Sequence, residues 1–111
     1  MYKYTIRPCF KSTEYLIEFF IDQIDDEFFK QLFQALEVID IQVGDIQDLW
    51  INNEVLLNCN SNIGQFMISI DSWDMVFIMA SDNQAAVQQL SELLNTQESF
   101  MEIEADHSRY Q

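Results

Sequence analysis

A chain of 111 residues, 49% of them hydrophobic and including nine Phe, four Tyr and two Trp, carries enough apolar surface for one core and leaves no room for a second. Nineteen Asp and Glu against five Lys and Arg give a formal net charge of −14, which disfavours free DNA, RNA and anionic membranes as ligands, because phosphate neutralisation requires clustered cations. Only Gly44 and Gly64 occur, excluding a Gly-rich phosphate cradle, and Cys9 and Cys59 fit no zinc or redox spacing.

Tyr2, Tyr4 and Ile6 alternate with Lys3, Thr5 and Arg7, the period of a half-buried strand, and Pro8 ends regular pairing. Glu14 to Asp22 also reads as a strand, with Tyr15, Ile17, Phe19 and Ile21 on one face, although Leu16, Phe19, Phe20 and Ile24 fit a helical stripe as well. Asp25 or Asp26 caps a helix in which Phe28, Phe29, Leu32, Phe33 and Leu36 recur at three- and four-residue spacing. Strand-like runs follow at Val38–Val43, Leu49–Ile51, Val55–Cys59, Gln65–Ile70 and Met75–Ala80, the last three separated by turn formers and expected to form an antiparallel meander. Ser81 or Asp82 starts a second helix with an Ala86, Leu90, Leu93, Leu94 stripe. Phe100–Ala105 adds an edge strand, and the chain frays from about His107. The expected fold is α+β, an antiparallel sheet with two helices packed on it, as one domain over residues 1–111.

Chemistry is sparse. The sole histidine, His107, lies in the expected tail, so a His-dependent nucleophile would rely on a frayed residue. Asp22, Asp25 and Asp26 approach the density of a calcium loop but lack the order and glycine of an EF-hand, and helix capping accounts for them. No cofactor, metal or catalytic residue is assigned, and the reading is of a binding protein, not an enzyme.

Charge distribution points to a partner. Between Gln31 and Ser108 there is no Lys or Arg but thirteen acidic residues, so the carboxylate fields add and a basic protein is favoured. Two clusters join acids to an aromatic: Asp71, Trp73 and Asp74 at an expected exposed turn, and Asp45, Asp48, Trp50 and Glu54 just before the meander. Trp is enriched at interface hot spots, and paired carboxylates suit a partner's Arg or Lys. The competing reading has Trp73 folded onto the core, with Asp71 and Asp74 stabilising a turn, and the second cluster in a solvated loop.

In size, acidity, aromatic content and sheet-plus-two-helices pattern the chain resembles the immunity proteins of bacterial toxin systems, including contact-dependent growth inhibition. The resemblance implies a cytoplasmic protein, encoded alongside a toxin domain, that binds that toxin tightly and specifically, and the acidity points to a basic toxin, a nuclease, neutralised by occlusion of its active site. Other readings are a DNA-mimic or adaptor protein regulating a nucleic-acid enzyme and, from another class, a small carboxylate-using hydrolase. A start without a cleavable leader and the lack of any ~20-residue apolar run are in keeping with the cytoplasm.

Overall fold

The computed structural model describes residues 2–8, 14–21, 26–49, 54–71, 75–80 and 83–103, the side chains of 48 and 49 excepted. Within them lie strands β1 (Tyr2–Pro8) and β2 (Tyr15–Phe20), helix α1 (Asp26–Leu36), a 3-10 turn (Glu37–Ile39), strands β3 (Gln42–Leu49), β4 (Glu54–Asn60), β5 (Phe66–Ile70) and β6 (Val76–Met79), helix α2 (Gln84–Asn95) and strand β7 (Phe100–Glu102). The seven strands form one sheet in the order β3-β4-β5-β6-β2-β1-β7. The fold is α+β as expected, but the sheet is mixed: every pairing is antiparallel except β1 with β7, which run parallel. The physical reason is the α2 crossover. A helix between β6 and β7 returns the chain to the same end of the sheet, so β7 enters beside β1 in the same direction.

Alternation sorts the strands into two faces. Tyr4, Ile17, Phe19, Val76, Ile78, Ile68, Phe66 and Cys59 point to the helices and join Phe28, Leu32, Leu36, Ala86, Val87, Leu90 and Leu94 in one core. Phe28 sits at its aromatic centre, 5.1 Å from Tyr2, 5.2 Å from Phe29 and 5.3 Å from Phe19 between ring centroids, all edge-on. The Tyr4 hydroxyl crosses the core to donate to the Ser91 carbonyl of α2 at 2.9 Å. Burial pushes that phenol above its ordinary pKa, against the lowering effect of the Ser91 bond.

The opposite face is not the plain polar surface that a two-layer fold would allow. Thr5, Leu16, Glu18 and Ser69 are all buried there. Both faces of β2 are therefore covered, which corrects the assignment of a single buried face to that strand.

Local chemistry explains the other departures. The run expected as a strand from Val38 to Val43 becomes one only at Gln42: before it α1 tightens into the 3-10 turn, and Asp40 closes it in the left-handed region (φ 54°), its N–H donating to the Glu37 carbonyl at 3.0 Å. Gly44 and Asp45 then oppose Asn58 as a bulge in β3, so Val43 and Ile46, three residues apart, face Cys59 and Leu57 on the same side. The Asn58 side chain steadies the bulge by donating to the Asp45 carbonyl at 3.3 Å. α2 starts from Asn83, whose Nδ2 donates to the Ile63 carbonyl at 2.9 Å and ties the helix to the β4–β5 turn. Ser81, Asp82 and Asp25, the expected caps, lie outside the described residues.

Candidate functional site

The registers decide where the two acidic clusters fall. Leu49 pairs with Glu54, Val55 with Ile70, and Ile70 with Val76, so the β3–β4 and β5–β6 connections lie at the same end of the sheet on neighbouring strand pairs. Residues separated by more than twenty positions in sequence thus approach one surface. Trp50, Trp73 and Asp74 lie outside the described residues, as do His107, Asp22 and Cys9. Asp48 occupies the β3 position paired with Val55.

The side chains that are described behave differently from one another. Asp71 is half-buried, and its Oδ1 accepts the Met75 N–H at 3.0 Å while its own N–H donates to the Met75 carbonyl at 3.0 Å. Asp71 therefore holds the β5–β6 turn closed, the role the competing reading gave it. Glu54 is also half-buried, on the face away from the helices, and accepts the Ser69 hydroxyl at 3.0 Å. Only Asp45 is fully presented to solvent, and it stands on a strand, not in the loop first expected.

Asp45 belongs to a longer exposed ribbon. From Glu37 to Gln47 the chain is exposed except at Ile39 and Ile41, which pack against the core, and it carries Glu37, Asp40 and Asp45 without a cation. Three of the six large exposed hydrophobics among the described residues, Val38 (70%), Ile46 (64%) and Val43 (42%), lie on this same stretch. Acids and exposed aliphatic side chains are thus interleaved along this stretch. The sequence signal for it was Gly44-Asp45 inside an apolar run, a mark of a bulge that composition alone does not turn into a site.

Beside the bulge an open cavity of about 840 Å³ is lined by Gly44, Asp45, Asn58, Cys59, Asn60, Gln65, Phe66, Met67, Met79, Ala80 and Asn83. Its polar lining is one carboxylate and four side-chain amides. The Cys59 thiol is 2% exposed, and burial pushes its pKa up to about 11, so it is no thiolate at neutral pH. Among the described residues no group of three or more His, Cys, Asp or Glu is arranged to hold a metal ion, and no helix is long and apolar enough to cross a membrane.

Electrostatically the sheet is divided. Lys3 and Arg7 lie on β1, five strand positions from β3, or roughly 24 Å at ~4.8 Å per strand. That separation is about three Debye lengths at physiological salt, so neither cation offsets the β3 ribbon. Compared with protein-family models, curated proteins and solved structures, the chain matches none.

Proposed function

We propose that this protein is a cytoplasmic inhibitor of the immunity type, which binds a cognate basic toxin, most simply a nuclease, and neutralises it by occluding its substrate-binding surface. The observation that carries the reading is the acidic ribbon from Glu37 to Gln47, which itself holds no Lys or Arg, in a stretch of the chain that has none until Arg109. A nuclease cleft lined with Lys and Arg to hold phosphates is also a docking surface for carboxylates. Long-range attraction speeds encounter, and exposed Val38, Val43 and Ile46 supply the apolar area that slows release.

The reading requires no reaction by this chain. Specificity among related toxins would come from shape and from groups that a wrong partner leaves unpaired, because charge alone attracts any basic protein. The test is co-purification with the tagged protein from its native lysate at low and at moderate salt, followed by a nuclease assay of what is retained. A single basic chain held at both salts, inactive in the complex and active when released, supports the proposal. A basic chain that is lost at moderate salt, or is active while bound, overturns it.

A further inference from the structure

We infer that the outer edge of β3 receives an extended, arginine-bearing segment of the basic partner, whose main chain pairs with β3 while a guanidinium enters the cavity at Gly44 and Asp45. The inference rests on the proposed reading that the partner is a basic protein, and it specifies how that partner docks.

Three observations converge on this strand. β3 is the outermost strand of the sheet, so one row of its main-chain N–H and C=O groups has no neighbouring strand among the described residues. Its protection as an edge is confined to its acids and the bulge at Gly44 and Asp45: Gln42–Leu49 contains neither Lys nor Pro, and Val43 and Ile46 are exposed. The third observation is the cavity of about 840 Å³ beside the bulge, roomy enough for several side chains of an extended segment.

Charge selects the occupant. A second copy would bring a strand of the same acidic sequence, Asp45 included, against this edge, and the bulge twists β3 away from flat self-pairing. A basic strand meets opposite charge in the same place. Arginine suits the cavity better than lysine, because its five donors in a planar fork can be shared between the Asp45 carboxylate and the amide oxygens of Asn58, Asn60, Gln65 and Asn83. Gly44 lines the cavity, and a Cβ there would press on the Asn58 carbonyl oxygen of the bulge at 3.3 Å.

The test uses a fluorescent eight-residue peptide of alternating Arg and Val, titrated by anisotropy with the full chain at about 0.15 M salt. Two further peptides are compared: one N-methylated at alternate amides, which keeps the charge but cannot pair along an edge, and one with Lys for Arg. The expected result is binding of the parent, a loss of about tenfold or more on N-methylation and in the Ile46→Lys variant, and a several-fold loss with Lys. Amide shifts in the wild-type protein confined to β3 and the cavity give the same answer without any substitution. Equal binding of the N-methylated peptide, indifference to Ile46→Lys in a variant that melts like wild type, or no binding of the parent overturns the inference. A wild-type dimer that Ile46→Lys dissociates overturns it too, with a second copy as the occupant. If a co-purified basic toxin binds Ile46→Lys as tightly as wild type, the edge inference fails while the inhibitor reading stands. If no basic chain is captured, the inhibitor reading fails whatever the peptides do.

Discussion

Arg7 Nε donates to Glu18 Oε1 at 2.6 Å diagonally across the β1–β2 ladder, with the two side chains only 13% and 7% exposed. The guanidinium also donates to the Pro8 carbonyl at 3.1 Å and lies 5.5 Å from the centroid of the Phe77 ring. In so acidic a chain this buried carboxylate is matched with one of five cations. Its partner sits on the side of the sheet remote from β3, so holding Glu18 does not dilute the acidic ribbon.

Removing one member of the pair should cost more than removing both. Arg7→Met leaves Glu18 buried without its cation and is expected to lower stability by about 3–5 kcal/mol, whereas Arg7→Met with Glu18→Leu should fall within about 1 kcal/mol of wild type. Urea denaturation of the single and double variants measures the difference. A double variant as unstable as the single would show that the loss comes from packing of the Arg7 stem against Phe77.

Phe28 touches aromatic rings on β1, β2 and α1, so it joins the sheet to the helix layer. Phe28→Ala should destabilise by about 3–5 kcal/mol and Phe28→Leu by clearly less, since leucine refills most of the volume. Thermal melts followed by near-ultraviolet circular dichroism report both.

Gly64 has φ 106° in the turn before β5, and a Cβ there would collide with the Asn83 side-chain amide that ties this turn to α2. Gly64→Ala is expected to cost about 1–3 kcal/mol, combining left-handed strain with loss of the Asn83 bond. The loss should shrink when Asn83→Ala is already present, which a double-mutant cycle in urea would reveal.

Alkaline pH offers a test of burial. The Cys59 thiol is raised from 9.0 to about 11 by desolvation, so the folded state holds its proton in a range where the unfolded chain has lost it. The stabilisation is therefore complete below pH 9 and lost as pH rises from about 9 to 11, on the order of 3 kcal/mol if the thiol fully ionises. Tyr4, also raised, adds to the same alkaline fall. Cys59→Ala should flatten part of that limb in a stability-versus-pH series, and the Cys59 thiol should react slowly with thiol reagents at neutral pH.

Charge reversals separate the acids that face outward from those that hold the fold. Asp45→Lys should leave stability within about 0.5 kcal/mol and weaken a basic partner about tenfold or more, with the larger effect at low salt. Asp71→Lys should cost about 1 kcal/mol of stability through the lost Met75 bond. Melts and affinities measured on the same two proteins give the comparison.

Much of the framework was legible in the chain because its period is local. Tyr2-Tyr4-Ile6 alternation, the Phe28-Leu32-Leu36 stripe and the turn formers around Gly64 each specify an element from neighbouring residues. The stretch from Val38 to Ile46 was not, since β-branched residues there serve a 3-10 turn, a left-handed Asp40 and a bulge that resets alternation at Gly44-Asp45. The parallel pairing of β7 depends on a crossover spanning two intervening strands, which three residues of strand cannot announce. The site shows the same division: acidity and its lack of counterions are plain in the sequence, while register decides that Asp45 faces solvent and Glu54 and Asp71 are tied into the sheet and its turn.

The proposed neutralisation of a basic nuclease is tested by the activity of the co-purified basic chain, freed from the complex and titrated with this protein at about 0.15 M salt. Cleavage is expected to fall linearly to zero at one equivalent of wild type, with Asp45→Lys shifting the titration to excess. Cleavage that persists at a large excess of wild-type protein would contradict it.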